Sequence, residues 1–177
     1  MNNLPLLGFA AFSDVGKTTL LTQLIPVLRA RGIRPGMIKH AHHDFDIDTP
    51  GKDSYELRKA GAEQVLIASS KRWALMTETP AQAEANLFEL IDRLDHAQLD
   101  LVLVEGFRHE AFPKIELHRP RQQHPLLCIE DPHIIAIATD VELNVPLAIP
   151  TLNLNDPAQI ADFIQSEILD RSTTHSA

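Results

Sequence analysis

Short apolar runs alternate with helix-forming stretches along the chain. The runs are typical of strands buried on both faces of a parallel sheet, and they occupy residues 4–11, 34–39, 99–104, 134–138 and 147–152. Helices are predicted at residues 17–31, 52–60, 80–96 and 156–169, several of them with apolar residues every three or four positions. Strands that alternate with helices predict an α/β fold, with a mostly parallel sheet and helices on both faces.

Further strands are predicted outside this alternation. Residues 63–68 and 72–77 form two apolar segments that a short polar turn joins, and residues 114–118 alternate between polar and apolar. These segments predict three further strands. No change of composition marks a linker, so a single domain is expected over residues 4–170, followed by a flexible tail at residues 171–177.

Composition argues against several classes of function. The 177 residues carry a formal charge of −8 and show no basic stripe, which argues against a nucleic-acid partner. No apolar run approaches the roughly 20 residues that span a bilayer, and the N-terminus lacks the basic start of a signal peptide. We therefore expect a cytoplasmic protein that contacts neither nucleic acid nor membrane.

The segment AFSDVGKTT, from Ala11 to Thr19, lies between the first strand and the first helix. It follows the phosphate-binding pattern G-x-x-x-x-G-K-[ST], except that Ala11 replaces the first glycine. Lys17 is expected to reach the β- and γ-phosphates, and the Thr18 hydroxyl to coordinate Mg²⁺. The predicted nucleotide-binding residues are Ser13, Asp14, Val15, Gly16, Lys17, Thr18 and Thr19. Together with the strand pattern, the segment predicts a three-layer P-loop NTPase fold.

A phosphate loop needs a carboxylate near its Mg²⁺, at the carboxyl end of a neighbouring strand. Glu105 ends the run at residues 99–104, whereas Asp100 stands at its start. Glu105 is therefore the predicted metal neighbour, beside Thr18. Asp53 is a second candidate, with helix capping as an equally good explanation, and the two roles are compatible. The predicted catalytic residues are Lys17, Glu105 and Asp53.

Two further features leave alternatives open. His40, His42 and His43 stand among aspartates and can form a metal site, a solvated loop or a substrate-facing surface. The last two are favoured, because no cysteine pairs with these histidines and their spacing matches no closed zinc site. Asp140 follows the run at residues 134–138. Its carboxylate can accept from N1–H and the exocyclic amine of guanine, or it can be a turn residue. The usual Asn/Thr-Lys-x-Asp signature is not intact, so guanine specificity does not follow from these residues.

Motifs in a fixed order give the chain a resemblance to a known family. They are Ile38-Lys39-His40, Pro50-Gly51-Lys52-Asp53-Ser54, Arg72-Trp73-Ala74-Leu75 and Val104-Glu105-Gly106-Phe107, in addition to the phosphate loop. With these, the chain from about residue 4 to about residue 168 resembles the MobB family, the molybdopterin-guanine dinucleotide biosynthesis proteins B. Carried over by position, the resemblance implies that residues 13–19 bind the nucleotide and that Glu105 lies near the metal.

The resemblance implies a GTP-binding accessory protein with weak GTPase activity. It also implies support for MobA, the enzyme that attaches GMP to molybdopterin. The expected cofactors are GTP and Mg²⁺, since the family binds GTP and a phosphate loop holds its nucleotide with Mg²⁺. The resemblance also implies a homodimer built through inserted strands, and both residues 72–77 with their neighbour and residues 114–118 qualify for that role.

Other functions compete with this reading. A small-molecule kinase would use Arg119 and Arg121 as a lid over the transferring phosphoryl group, although a solvated loop is the favoured explanation of these arginines. A pure binding module would hydrolyse nucleotide only incidentally, and a metallochaperone would need metal on the histidine loop.

Overall fold

A computed structural model describes residues 4–41, 45–79, 84–120 and 124–171 of the chain. The chain divides into two compact units, one made of Met1–His40 with Asn86–Ala177 and the other of Ala41–Ala85. That residues 4–170 form a single domain stays a prediction, and the tail after residue 171 lies outside the described residues.

The described residues form eight strands and four α-helices. The strands are β1 (Leu6–Ala10), β2 (Pro35–Lys39), β3 (Gln64–Ala68), β4 (Trp73–Thr77), β5 (Leu101–Glu105), β6 (Lys114–His118), β7 (Ile134–Thr139) and β8 (Thr151–Asn153). The helices are α1 (Lys17–Ala30), α2 (Asp53–Lys59), α3 (Leu87–Ile91) and α4 (Pro157–Ile164), the last of which continues as a π-helical turn over Gln165–Leu169. No helix among them is long and apolar enough to cross a membrane.

The first unit is built on a six-stranded sheet in the order β2-β5-β1-β6-β7-β8. Every neighbouring pair in this sheet is parallel. Side chains along β5 alternate between two apolar clusters: Leu101 and Leu103 pack with α1 and α4, whereas Val102 and Val104 pack with Leu87 of α3. Helices therefore cover both faces of the sheet, and the predicted α/β fold is confirmed.

The long helix predicted at residues 80–96 is wrong in extent. Residues 80–83 lie outside the described residues, and the α-helix covers only Leu87–Ile91. The Asn86 side chain accepts from the backbone N–H groups of Phe88 and Glu89 and so starts the helix late. The Asp95 side chain then caps a separate 3₁₀ turn at His96–Gln98. Side chains of this kind compete with the helix for backbone donors, which apolar periodicity does not reveal.

The predicted last strand at residues 147–152 is also displaced, because β8 covers only Thr151–Asn153. Pro150 has no N–H to donate, so it can only accept, and its carbonyl receives the N–H of Ile137 at 3.0 Å. The residues before Pro150 take no part in the sheet.

The second unit contains α2 and an antiparallel pair, β3 with β4. The predicted insertion at residues 63–77 is therefore present. Arg58 of α2 organises this unit, because its guanidinium contacts Asp48 at 2.7 Å and Glu78 at 3.1 Å. The hydrogen bond from Arg58 lowers the pKa of the buried Asp48 carboxyl.

The prediction that Asp53 caps α2 is wrong by one residue. The cap is Lys52, in extended backbone and without a capping side-chain hydrogen bond, and Asp53 is the first helical residue. The Glu56 carboxylate turns back to accept from the Gly51 N–H at 3.2 Å. Both carboxylates still lie in the first turn, where the helix dipole favours them.

Strand β6 belongs to the centre of the main sheet, between β1 and β7, so residues 114–118 are not an inserted strand. Ile115 and Leu117 enter the core on one face. On the opposite face Lys114, Glu116 and His118 are buried, although all three are polar. Backbone N–H groups of Leu127 and Cys128 donate to Glu116 at 2.9 and 2.8 Å, so the carboxylate is satisfied inside the protein.

Lys114 is 1% exposed, and its ammonium donates to Asp131 at 2.9 Å and lies 4.9 Å from the centre of the Phe112 ring. Burial by itself would raise the pKa of Asp131, but hydrogen bonds from Lys114 and from the His133 backbone N–H more than offset it, so that the pKa is lowered. The pair therefore stabilises the folded protein while Asp131 is ionised.

We predict that Asp131→Asn lowers the free energy of unfolding at pH 7 by about 2 kcal/mol, because it leaves a buried ammonium without its charged partner. Lys114→Met should cost less, since Asp131 is partly exposed and can be hydrated. Because the pKa of Asp131 is lower in the folded protein than in the unfolded chain, its ionised carboxylate stabilises the fold at pH values above the unfolded pKa of about 3.9. The difference in unfolding free energy between wild type and Asp131→Asn should therefore shrink as the pH falls below that value. Urea titrations at several pH values measure this difference in the free energy of unfolding, and Glu130→Gln, at an exposed position, is the control. A pH-independent difference would contradict the pairing.

Candidate nucleotide-binding site

The phosphate loop joins β1 to α1, at the carboxyl end of a central strand. Gly16 is the cap of α1, in the left-handed region at φ 105°, and no side chain accepts from the first turn. That turn also contains no acidic residue. Helix α4 differs, because Asp156 accepts from Ala158 and Gln159 N–H groups at its start. The first N–H groups of α1 therefore suit an external anion.

Lys17 lies across the loop. Its ammonium donates to the carbonyls of Ala11 and Phe12, each at 3.3 Å, and the residue is half-buried. Ala11 is not among the described residues with positive φ, so the missing first glycine creates no backbone strain. Asp14 does carry a positive φ of 62°, and strained backbone of this kind concentrates at ligand sites.

The other predicted loop residues differ in exposure. Ser13, Asp14, Thr18 and Thr19 are exposed, whereas the Val15 side chain is 3% exposed and packs in the core. The packing of Val15 thus holds the loop against the core. The exposed Thr18 side chain is accessible to a metal ion bound with phosphate.

Glu105 ends β5, which lies between β1 and β2. Its side chain is 15% exposed, and its Oε2 atom lies 3.5 Å from the Lys39 ammonium. A carboxylate, a threonine hydroxyl and phosphate oxygens are ligands that suit Mg²⁺, and the metal roles of Glu105 and Thr18 stay predictions. Asp100 lies at the opposite end of the strand, where a hydrogen bond from Arg34 lowers the pKa of its carboxyl.

The turn after Glu105 has a fixed shape. Gly106 has φ 97°, and a Cβ atom there would lie 2.5 Å from the Cβ of His40, so only glycine fits. Phe107 has φ 51° and stacks on the His40 ring at 4.5 Å between ring centres. The V-E-G-F motif is therefore a rigid turn that positions Glu105, and His40 is part of its packing.

Asp140 follows β7, on the other side of β1. Its carboxylate is 13% exposed and accepts from the Arg119 guanidinium at 2.8 Å. Arg119 also donates to the Val15 carbonyl at 2.9 Å, so it connects the phosphate loop to Asp140. Sequence reasoning missed this role for Arg119, because only the strand order brings residues 15, 119 and 140 together.

A pocket of about 280 Å³ lies beside the loop. Its walls come from the start of α1, from Arg119 and from the segment after β8, and they are Gly16, Thr19, Leu20, Gln23, Arg119, Leu154 and Asn155. The volume is near the lower limit of ligand pockets, about 300 Å³.

Some predicted residues do not enter this description. Asp53 belongs to the second unit, where it opens α2, and its catalytic role stays a prediction. His42, His43 and Asp44 lie outside the described residues, so the metal alternative stays open for them. Asp46 and Asp48 of the same loop are paired with Arg58. Within the described residues no cluster of His, Cys, Asp and Glu could hold a metal ion.

Sequence comparisons agree on one family. The model of molybdopterin guanine dinucleotide synthesis protein B, MobB, matches residues 6–140. A molybdopterin-guanine dinucleotide biosynthesis adapter protein of Escherichia coli K12 is 58% identical over 162 residues, which cover 91% of each chain. The protein of the same name from Haemophilus influenzae is 47% identical and covers 93% of this chain and 90% of its own.

Solved structures show the same fold. A crystal structure of molybdopterin-guanine biosynthesis protein B superposes with a TM-score of 0.70 at 26% identity, over 91% of this chain and 98% of that chain. The structure of Bacillus subtilis MobB gives a TM-score of 0.72 at 20% identity, over 93% and 97%. On the family match, the identities and the fold, the chain belongs to the MobB family.

Proposed function

We propose that this protein is a GTP-binding adapter in the biosynthesis of molybdopterin guanine dinucleotide, with weak GTPase activity. The observation that carries the proposal is the uncapped, acid-free start of α1 with Lys17 lying across the phosphate loop. Its E. coli and H. influenzae relatives are named adapter proteins of that biosynthesis. The adapter would support MobA, the enzyme that attaches GMP to molybdopterin, and we expect it in the cytoplasm.

Each part of the nucleotide has candidate residues. The backbone of residues 13–19 would surround the phosphates, and Lys17 would leave the Ala11 and Phe12 carbonyls to contact the β- and γ-phosphates. Thr18 and Glu105 would hold Mg²⁺, which supplies positive charge against the phosphates. Asp140 would recognise guanine, whereas Asp53 is proposed only from the sequence as a further catalytic carboxylate.

The kinase alternative is not favoured. Arg119, which that alternative uses as a lid residue, donates instead to the Val15 carbonyl and the Asp140 carboxylate. Arg121 lies outside the described residues. A guanidinium engaged in this way does not serve as an arginine finger, and this supports slow hydrolysis over rapid phosphoryl transfer.

We also propose that the protein is a homodimer that pairs through β3 and β4. On one face of this hairpin Leu66, Trp73 and Leu75 are 60%, 68% and 47% exposed. The two-stranded sheet gains no third strand from the described residues. An isolated hairpin with an apolar face is marginally stable in water, and a second copy would cover both its face and its edges.

We predict that Lys17→Ala weakens the binding of Mg²⁺-GTP about 30-fold or more, because a charged hydrogen bond to phosphate is worth about 2 kcal/mol. Calorimetric titration measures the affinity, and Lys71→Ala, in the exposed turn between β3 and β4, is the control. Synthesis of the guanine dinucleotide with MobA should fall in parallel. If synthesis persists when binding is lost, the nucleotide does not drive the function.

We predict that Asp140→Ala weakens GTP binding about tenfold and leaves ATP binding nearly unchanged, because only guanine presents two donors to the carboxylate. Asp140→Asn should shift the preference from GTP toward xanthosine triphosphate, since the amide can donate to the xanthine 2-oxo group. Calorimetry with each nucleotide and Mg²⁺ measures both effects. Equal affinity of the wild type for GTP and ATP would contradict guanine recognition.

We predict that Leu66→Glu with Leu75→Glu converts the protein from dimer to monomer, because two carboxylates of like charge from each chain would be buried in the proposed interface without a cationic partner. Light scattering coupled to size exclusion measures the mass. Phe88→Glu, at a position 53% exposed in the first unit, is the matched control and should leave the mass unchanged. A monomeric wild type at micromolar concentration would refute the dimer.

A further inference from the structure

Arg119 occupies a special position in the strand order. It directly follows β6, which lies between β1 and β7 in the sheet. Strand β1 leads into the phosphate loop, and β7 leads into Asp140. Because parallel strands end at the same edge, Arg119 leaves the sheet between the two elements that the proposed nucleotide site uses.

The contacts of Arg119 use this position on both sides. Nε donates to the Val15 carbonyl at 2.9 Å, and a terminal nitrogen donates to Asp140 Oδ2 at 2.8 Å. The Arg119 side chain is 34% exposed and that of Asp140 is 13% exposed, so water screens the pair only in part. The guanidinium is planar and rigid, and its two contacts therefore fix the carboxylate relative to the loop backbone.

Asp140 keeps acceptor capacity after this contact. A carboxylate has about four lone-pair sites, and among the described residues Arg119 contacts the Asp140 side chain through Oδ2. The carboxylate can thus accept from N1–H and the 2-amino group of guanine without releasing Arg119. Adenine offers an unprotonated N1 and no 2-amino group, and it would place a lone pair against the negative charge.

We propose that Arg119 is the positioning residue that sets guanine selectivity, because it fixes the Asp140 carboxylate at a set place relative to the phosphate loop. The inference rests on the proposed function, since it needs a nucleotide in this site. It assigns Arg119 no contact with the phosphates. The loss of Arg119 therefore changes the discrimination between bases more than it changes the affinity for the triphosphate group.

The test compares three ligands: Mg²⁺-GTP, Mg²⁺-ATP and inorganic tripolyphosphate, titrated by calorimetry into the full chain. Arg119→Ala should weaken GTP binding about tenfold and leave ATP and tripolyphosphate within about twofold. Arg119→Lys should give an intermediate GTP-to-ATP ratio, because an ammonium can pair with Asp140 but cannot fork to both partners. On an Asp140→Ala background the same Arg119 substitution should have no further effect on the ratio.

The matched control is Arg34→Ala. Arg34 also forms an arginine–aspartate pair, with Asp100 at 2.7 Å, but that pair stands at the other end of β5. Removing it should leave all three affinities unchanged. Thermal unfolding of each variant checks the fold. If Arg119→Ala does not fold, Arg119→Lys tests the proposal, which expects its GTP-to-ATP affinity ratio to fall below the wild-type ratio.

The outcomes separate the two proposals. A wild type without preference for GTP defeats guanine recognition and the role of Arg119 together. A selective wild type whose Arg119 variants keep the same ratio overturns the role of Arg119 alone. An equal loss for GTP, ATP and tripolyphosphate also overturns it, because Arg119 would then only support the loop.

Discussion

The parallel pairing of β1 with β5 on one side and β6 on the other is the constraint on which the site depends. Since all three strands run in the same direction, the residues at and after their carboxyl ends meet at one edge of the sheet. The phosphate loop, Glu105 and Arg119 are these residues. Close packing enforces the arrangement, because a Cβ atom on Gly8 of β1 would lie 2.6 Å from the Phe112 ring.

Burial on both faces explains why so much polar chemistry is tolerated around this sheet. Leucines and valines of β5 supply apolar area to two clusters, and that area stabilises the strands whose ends bear charge. Strand β6 is the exception, since one of its faces is polar. Its buried groups have partners inside the protein, Asp131 for Lys114 and the backbone N–H groups of Leu127 and Cys128 for Glu116, and these hydrogen bonds offset the cost of burying each charge.

The two units are stabilised by different kinds of interaction. The first buries its strands and has no side-chain cap at the start of α1, which suits the binding of an anion. The second has few apolar side chains buried and instead centres on Arg58 with its acidic partners. It exposes the apolar face of β3 and β4, which suits assembly with another chain. Nucleotide chemistry and association are thus proposed to reside in separate units of one chain.

The sequence by itself determined the strands other than β8, the phosphate loop and the family resemblance. Apolar runs and the Gly16-Lys17-Thr18 order are local signals, and local backbone physics is enough to interpret them. Prediction from local signals failed for the extent of the helix at Leu87–Ile91, because the Asn86 side chain competes for backbone donors. It also failed for the position of Lys114–His118 in the sheet, because that position depends on strand order. Only the tertiary structure decided that Arg119 joins Val15 to Asp140, because residues so far apart along the chain meet only through the crossovers between parallel strands.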